Sequence, residues 1–449
     1  MPEPTDSQGA LSYPHLVAEM GRAARAIFDH ALAECSITKA MSRHVQRNGN
    51  SLSIAGDIYD LGSSGSTAVV SIGKAGHTMA EALAWIMDKK VTGIISCPAA
   101  PSSTLPGFQY FIGGHPLPNE ASLRAGDAIL RLLSGRRPTD LVIFLISGGA
   151  SAIAEKPILD ALSLEDVLKT HRVLVHSGAP IASINAIRKH LSALKGGRMA
   201  RAAAPARQVS ILVSDVPDKS LDALASGPTM PDSTTVADCY TIARQYAMVE
   251  HFPSPVRDIF RDGTLTETPK PGDPAFSHSK FVTISSNAIA TEAAAQLARL
   301  HGFEVEIDNS CDDWDYAAAA DHLLSRLRHL RTRTSRACLI SGGEVTVRVI
   351  GNSGIGGRNQ QFALYCAEQI SSEKMTVLSA GTDGIDGNSS AAGAVADGTT
   401  IARAKKADFD PATALAGFNT FPLFRSLGDA VVTGPTGNNV RDLRVLLAY

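Results

Sequence analysis

The apolar positions along the chain follow two different periods. Residues 15–46 carry apolar side chains at intervals of three and four, a spacing that predicts one or two amphipathic helices. Elsewhere, short runs of consecutive apolar and β-branched residues predict buried strands. These runs are TAVVSIG at 67–73, DLVIFLI at 140–146, VSILVS at 209–214 and FVTIS at 281–285. Helical patterns follow the first and the last run, so we expect an α/β protein with parallel sheets flanked by helices.

The length of 449 residues exceeds the size at which a single core usually stops growing. We therefore predict two three-layer α/β domains. The first is a Rossmann-like domain at 1–235 and the second an α/β domain at 236–449, and the initial helix at 15–46 could pack on the second. The segment 261–279 is rich in Pro, Gly and polar residues and is either a linker or a surface loop.

Composition excludes several classes of partner. The 42 basic and 44 acidic side chains leave a formal charge of -2, so neither nucleic acid nor an anionic membrane is an expected partner. The six cysteines are scattered without zinc-site spacing, which is typical of a reducing compartment. The longest apolar runs have the length of strands, which is too short for a helix that crosses a membrane. We expect a cytoplasmic protein that acts on small molecules, either as a monomer or as a homodimer.

Glycines follow two of the predicted strands directly. Gly73 ends the run at 67–73, and Lys74 lies between this run and the helical pattern that begins at His77. Ser147, Gly148, Gly149 and Ser151 follow the strand at 140–146. Ligands of parallel α/β sheets collect at the carboxyl ends of strands, where glycine turns let an anion approach the backbone. The alternatives are a solvated lysine and ordinary tight turns.

A basic segment follows at 184–200. Arg188 and Lys195 belong to a helical pattern with an apolar stripe, and Lys195 runs into Gly196 and Gly197. Such a concentration of positive charge suits a polyphosphate, although a basic helix is more often a solvated surface.

Acidic residues stand at the ends of other predicted strands. Asp215 follows the strand at 209–214, and Asp383 and Asp386 occur in TDGIDG. Carboxylates in these places are suitable ligands for Mg²⁺, which usually takes one or two of them together with water and phosphate oxygens. Asx-turns and helix caps are the competing interpretation. Arg358 and Asn359 follow the paired glycines of SGIGGRNQQ, where they either bind an anion or begin a helix.

These residue types favour phosphoryl transfer over hydride transfer. Phosphoryl transfer needs cations, Mg²⁺ with its carboxylates and a group that accepts the proton of the attacking hydroxyl. No predicted strand carries Gly-x-Gly-x-x-Gly with an acidic residue about twenty positions further on, which a nicotinamide dehydrogenase would use.

Nine segments taken together resemble the class II glycerate kinases, a family that includes proteins named hydroxypyruvate reductase of tartrate degradation. The segments are GKAGHTMAEAL, GGHPLPNEASL, SGGASA, INAIRKHLSALKGGRMA, SDVPDKSLDALASGPTMPDST, SGGEVTV, GGRNQQFAL, AGTDGIDG with AAGAVADG, and PTGNNVRDL. The resemblance implies phosphorylation of D-glycerate by ATP with Mg²⁺, usually to 2-phosphoglycerate, in a cleft between two α/β domains.

Carried over residue by residue, the resemblance implies roles for the candidates. Lys74 and Arg358 would hold the glycerate carboxylate and the transferred charge, and Asp383 or Asp386 would be the general base or a second metal ligand beside Asp215. The candidates for binding nucleotide or substrate are Gly73, Ser147, Gly148, Gly149, Ser151, Arg188, Lys195, Gly196, Gly197 and Asn359. The alternative functions are an NAD(P)H-dependent hydroxypyruvate reductase and a non-catalytic sugar-acid binding protein.

The sequence departs from the family pattern at two places. Many relatives carry Glu where this chain has Gln361, and Pro-Thr-Asp where it has Asn388-Ser389-Ser390. The departures remove two possible carboxylates and leave Asp215, Asp383 and Asp386 as the stronger acidic candidates.

Overall fold

The computed structural model describes residues 13–88, 91–216, 218–349, 351 and 353–449. It divides into two compact units. The N-terminal unit is Ile37–Ser286, and the C-terminal unit consists of the residues up to Ser36 together with Asn287–Tyr449. The division differs from a boundary at 235/236, because a strand at 279–285 completes the sheet of the N-terminal unit. The first helix, α1 (Tyr13–Glu34), packs in the C-terminal unit, whereas residues 37–46 of the predicted initial helix lie in the N-terminal unit as a second helix and the start of a strand.

The N-terminal unit holds nine helices and nine strands within its described residues, besides short 3-10 turns. In chain order they are α2 (Ile37–His44), β1 (Val45–Asn48), β2 (Ser51–Ile54), β3 (Asp57–Asp60), β4 (Thr67–Ile72), α3 (Gly76–Ile86), β5 (Thr92–Cys97), β6 (Phe108–Ile112), α4 (Glu120–Leu133), β7 (Leu141–Ser147), α5 (Ala150–Ile153), α6 (Leu164–His176), α7 (Ile181–His190), α8 (Arg198–Ala203), β8 (Arg207–Val213), α9 (Val236–Gln245), α10 (Ser254–Asp262) and β9 (Ser279–Ser285).

The main sheet of this unit is parallel throughout, in the order β6-β5-β4-β7-β8-β9. Numbered from its first strand, this is the order 3-2-1-4-5-6 of the Rossmann fold, so the Rossmann-like prediction is confirmed. The order reverses between β4 and β7, which pair from Thr67 and Leu141 onward. Both strands are almost completely buried, as expected for a parallel sheet covered on both faces.

Two hydrophobic cores are described among the helices of the N-terminal unit, besides the packing of α3 on β4, β5 and β7. Alternate residues of the central strands, among them Val70 and Phe144, pack with α4 and α8. A second core joins α6, α7, α9 and α10 around Leu174, Ile187 and Phe260. Since α9 and α10 take part in it, residues 236–262 belong to this unit and not to the C-terminal one.

The C-terminal unit adds further elements to α1. They are α11 (Asn287–Leu300), β10 (Glu304–Ile307), α12 (Tyr316–Arg331), β11 (Ala337–Gly342), α13 (Arg358–Gln369), β12 (Met375–Gly381), β13 (Gly393–Asp397), α14 (Thr400–Lys406), α15 (Pro411–Ala416), α16 (Thr420–Leu427), β14 (Ala430–Val431) and β15 (Asp442–Ala448).

The sheet of the C-terminal unit is mixed, in the order β10-β11-β15-β12-β13-β14. Only β10 and β11 are parallel among its described strands, so the expectation of parallel sheets is wrong here. The reason is that the last strand, β15, enters between β11 and β12 and runs antiparallel to both. Alternate residues of β12 and β15 face α1 and α11 on one side and α12 and α13 on the other. This confirms three layers.

Asp140 joins the turn before β7 to the start of β4. It is 3% exposed, and its carboxylate accepts the Arg137 N–H at 2.8 Å and the Ser66 hydroxyl at 3.0 Å. The hydrogen bonds to Asp140, led by that of the Arg137 N–H, lower the pKa of Asp140 to about 2.

We expect Asp140→Asn to lower the free energy of unfolding by about 1–3 kcal/mol at pH 7, since it removes a charged acceptor. A lowered pKa stabilises the fold above about pH 4, and this contribution disappears as the pH falls towards 2. Urea unfolding should therefore show a difference from wild type that narrows at pH 2.5. The exposed Asp258→Asn is the control, and an equal loss at both pH values would contradict the assignment.

Candidate functional site

Two glycine turns meet at the point where the strand order of the N-terminal unit reverses. Gly73 follows β4 with φ +121°, and a Cβ there would overlap Ser147 at the end of β7. The Lys74 N–H donates to the Gly148 carbonyl at 2.9 Å, and the Ala75 N–H donates to Ser147 Oγ at 3.0 Å. These bonds hold the two turns together. The predicted grouping of Gly73, Lys74 and Ser147 thus exists in the fold.

The second turn, at residues 147–149, depends on glycine at two positions. A Cβ on Gly148 would overlap the Asp215 carboxylate, and one on Gly149 would press on His115 and on Lys74 Cγ. Within the described chain, the N–H groups of Gly148 and Gly149 donate no hydrogen bond to the protein. Asp215, at the end of β8, is half-buried. The turn therefore presents two unused donors beside a lysine and a carboxylate.

Lys74 is the exposed cation of this group. Its side chain makes no hydrogen bond or ion pair with the residues that the structure describes. Burial and the charge of Lys74 together lower the pKa of His115. Ser151 lies one turn further on, where its hydroxyl is 3.1 Å from that of Ser226. His115 was missed by sequence reasoning, which quoted GGHPLPN only as part of the family pattern.

The C-terminal unit contains a cleft of about 710 Å³ around the start of α13, here called the Arg358 cleft. The charged side chains that line it are Asp313, Glu344, Arg358, Asp383 and Asp386. Glycines of SGIGG line the same cleft, so the predicted turn before Arg358 does border a space of ligand size.

Arg358 is held by two carboxylates. Its Nε lies 2.6 Å from Asp442 Oδ2 and its Nη2 lies 3.0 Å from Asp442 Oδ1, a bidentate pair. Nη2 also lies 2.9 Å from Glu344 Oε1. Burial opposes the charge of Arg358, but the two carboxylates raise its pKa above the usual value. The guanidinium is therefore fixed in direction and permanently charged.

Asp442 and Glu344 are the partners that sequence reasoning missed. Asp442 is 1% exposed at the start of β15, 84 residues from Arg358, and no local pattern connects the two. Burial raises the pKa of Glu344, and the charge of Arg358 partly offsets this effect. Asp383 is half-exposed in the same cleft and accepts the Ile385 N–H at 3.1 Å.

Comparisons with known proteins decide the family. Residues 23–261 match a domain of unknown function, DUF4147, and residues 337–442 match the MOFRL family. The D-glycerate 2-kinase of Thermotoga maritima is 36% identical over 382 residues, 84% of this chain and 89% of the relative. The crystal structure of a Thermotoga maritima glycerate kinase has a TM-score of 0.85 and 32% identity, and the match covers 96% of this chain and 100% of that one.

The chain belongs to the class II glycerate kinase family. The predicted family, the two-domain α/β fold and the kinase class are thereby confirmed. A protein of Agrobacterium vitis whose name provisionally describes a hydroxypyruvate reductase is also similar, at 35% identity over 85% of this chain and 87% of its own length. The relatives thus include both glycerate kinases and a protein named as a hydroxypyruvate reductase, as expected for this family.

The basic segment of this glycerate kinase family member is not an exposed phosphate site. Lys195 is 2% exposed and ion-paired with Glu155. The N–H groups of Gly196 and Gly197 donate to the carbonyls of Ser226 and Gly227 at 3.0 and 2.8 Å. The phosphate-binding prediction for Lys195, Gly196 and Gly197 therefore fails, because the charge is neutralised internally and the donors are occupied.

Arg188 lies apart from the glycine turns as well. It lines a small cavity whose walls are mostly apolar, and none of the described residues at 73–74 or 147–149 lines that cavity. Its neighbour Lys189 is buried and paired with Asp222 at 3.0 Å and Asp232 at 3.2 Å. The cavity that Arg188 lines thus does not include the glycine turns, and the predicted nucleotide contact of Arg188 stays a prediction.

Asp386 and Asn359 serve the start of α13. Each oxygen of Asp386 accepts two hydrogen bonds, from the backbone and side-chain amides of Asn359 and of Gln360, at 2.9–3.3 Å. Burial raises the pKa of Asp386 to about 6 despite these bonds. Its four lone-pair positions are used, so the prediction of metal ligation does not fit. Asn359, at 1% exposed, also accepts the Ser379 hydroxyl at 2.6 Å and has no access to a substrate.

The departure at Gln361 has a structural reason. Its Nε2 donates to the Leu415 carbonyl at 2.7 Å, and the residue is 2% exposed. A carboxylate in this position would face a carbonyl oxygen that it could not bond while ionised. Gln361 therefore anchors α13 against α15.

Within the described ranges, no three His, Cys, Asp or Glu side chains come together as a metal site would require. No helix in the same ranges is both long and apolar enough to cross a membrane.

Proposed function

We propose that this protein catalyses transfer of a phosphoryl group from ATP to D-glycerate, with Mg²⁺, to give 2-phosphoglycerate. The observation that carries the proposal is the pair of glycine turns with Lys74, which lie where the strand order of a 3-2-1-4-5-6 sheet reverses. This is the place at which open α/β sheets bind nucleotides. The kinase names of the relatives supply the reaction and the substrate class.

The turn at Ser147–Gly149 is our candidate for the ATP phosphates. The unused N–H groups of Gly148 and Gly149 point to a site for oxygen anions, and the missing side chains leave room for them. Lys74 adds a free positive charge. Ser151 and Gly73 border the same turns and support this binding.

Asp215 is the candidate ligand for Mg²⁺. Its carboxylate lies against Gly148, next to the proposed phosphates, so this chain would contribute one carboxylate while phosphates and water complete the shell. When bound, the ion neutralises charge on the transferred group.

Arg358 and Asp383 are the candidates on the substrate side. Asp442 and Glu344 engage Nε and Nη2 of Arg358, whereas no described residue accepts a hydrogen bond from Nη1, so Nη1 can bind the glycerate carboxylate or an oxygen of the transferred group. Asp383 keeps lone pairs free after accepting the Ile385 N–H, so it can accept the proton of the attacking hydroxyl.

The deciding experiment supplies the protein with D-glycerate and Mg·ATP, or with hydroxypyruvate and NAD(P)H. We expect ADP formation that requires D-glycerate, and no loss of nicotinamide absorbance. Consumption of NAD(P)H without ADP formation would identify a reductase, and tight glycerate binding without either turnover would identify a binding protein. NMR of the product separates 2- from 3-phosphoglycerate.

Gly148→Ala tests the phosphate turn. Gly148 does not have a positive φ, so the effect of the methyl group is steric: it displaces the Asp215 carboxylate and narrows the turn. We expect kcat/KM for ATP to fall about 10- to 100-fold, the scale of a misplacement of about 1 Å. Steady-state kinetics with varied ATP measure it. Gly21→Ala, in open space on α1, is the control, and unchanged ATP kinetics in Gly148→Ala would remove this turn from the site.

Small-molecule substrates and a cytoplasmic location complete the proposal. All six cysteines are buried and none forms a disulfide with a described residue, as suits a reducing compartment.

A further inference from the structure

A small cavity lies between helices α6 and α7 of the N-terminal unit. Its volume is about 30 Å³, close to the share of one water molecule in the liquid. Apolar side chains such as Leu162, Leu174 and Val256 form most of the wall, and the polar residues that line it are Glu155, Thr170, His171 and Arg188. A nucleotide or a glycerate is far too large for this space.

Arg188 is a half-buried cation without an acceptor among the described residues. Its guanidinium makes no hydrogen bond or ion pair with any residue that the structure describes, and its Nε is buried without a partner. Burial lowers the pKa of Arg188, and Glu155 offsets this only in part. Since burial of even part of a charge is costly unless the charge is paired, the position suits an anion.

His171 adds a second unmatched donor. It is 6% exposed, and its Nδ1 has no hydrogen-bond partner in the described chain. Burial, with the charges of Lys195 and Arg188, lowers the pKa of His171 to about 3, so the ring is neutral at physiological pH. A neutral imidazole still carries one N–H, which can be donated to an anion.

Glu155 is not the missing partner of Arg188. Its Oε1 accepts the Ser192 hydroxyl at 2.6 Å and the Lys156 N–H at 2.9 Å, and its Oε2 is paired with Lys195. Both oxygens of the carboxylate are thus engaged by groups other than Arg188. Glu155 and Lys195 cancel each other, which leaves the single positive charge of Arg188 at the cavity.

We propose that this cavity binds one monovalent anion of the size of chloride, between the Arg188 guanidinium and His171. The single positive charge of Arg188 indicates a monovalent anion, and the volume of the cavity limits the size of that anion. Such an ion would stabilise the junction of α6 and α7 by pairing a charge that the protein leaves unpaired. The site is independent of the proposed kinase reaction.

The first test is diffraction from wild-type crystals grown with bromide in place of chloride. We expect an anomalous peak in contact with Arg188. A peak is expected to be absent from Arg188→Met crystals and present in those of Arg172→Met, a control on the exposed side of α6. Density for a water molecule alone, with no anomalous signal, would overturn the proposal.

The second test measures thermal unfolding while chloride replaces gluconate at constant ionic strength. We expect a saturating rise in Tm of about 2–4 °C for wild type and for Arg172→Met, as binding to the folded state requires. Arg188→Met should show no saturating rise. Equal chloride responses of all three proteins would contradict the site. If Arg188→Met does not fold, Arg188→Gln replaces it, and the wild-type bromide result decides.

Discussion

Replacing Arg358 with methionine is expected to lower the kcat of the proposed ADP-forming reaction by about 10²- to 10⁴-fold, the scale of losing one charge-stabilising group in phosphoryl transfer. The substitution removes the fixed guanidinium from the Arg358 cleft and also leaves Asp442 without its bidentate partner. We therefore expect some loss of stability as well. Coupled kinetics and thermal unfolding measure the two effects separately.

Two further variants distinguish catalysis from folding. Arg358→Lys keeps the charge but loses the bidentate pair, so it should fold and still lose most of the activity. Asp442→Asn keeps the shape of the partner and releases the guanidinium, which should lower kcat by about tenfold with little change in KM. Arg299→Met, on the exposed surface of α11, controls for loss of an arginine. Wild-type kcat in Arg358→Lys would exclude the proposed role.

Replacing Lys74 with methionine is expected to reduce kcat/KM by about 10²- to 10⁴-fold with little change in Tm. The stability prediction follows because the Lys74 side chain is exposed, so its removal breaks no packing. The catalytic prediction follows from its position above the turn at Ser147–Gly149. Steady-state kinetics with both substrates show whether the loss falls on ATP or on glycerate.

His115 provides a readout of Lys74 that does not depend on activity. Because the charge of Lys74 helps to lower the pKa of His115, that pKa should rise in Lys74→Met and stay low in Lys74→Arg. NMR titration of the imidazole measures it. Lys169→Met, on α6, is the control for loss of a lysine. A variant Lys74→Met with normal turnover would remove this residue from the mechanism, whatever the histidine shows.

The errors of the sequence analysis share one cause. Lys195 was expected to face a phosphate, yet Glu155, 40 residues earlier, neutralises it in the core. Asp386 was expected to bind a metal, yet it caps a helix that begins 28 residues before it. In both cases the residue type and the local pattern were read correctly, but a distant partner decided the role. Asp442 was missed for the same reason, since only the sheet brings it to Arg358.

The pattern of neighbouring residues was sufficient to predict the central strands of the N-terminal unit and its glycine turns. Buried apolar runs predicted β4, β7 and β8, because a strand covered on both faces must be apolar throughout. The run FVTIS predicted β9 as well, although this edge strand is only partly buried. The glycines directly after β4 and β7 predicted the turns around Lys74 and Ser147. This was possible because a glycine turn at a strand end depends only on neighbouring residues of the sequence. The order of motifs along the chain also determined the family.

Only the tertiary structure decided which polar groups remain available to a ligand. Strand pairing places β9 in the N-terminal unit and β15 in the middle of the other sheet, and both choices depend on contacts between distant residues. Contacts between distant residues also fix Arg358 against Asp442 and enclose Lys195 with Glu155, whereas Lys74 has no side-chain partner among the described residues. Availability depends on burial and on charge pairing across the fold, which a linear pattern of residues does not contain.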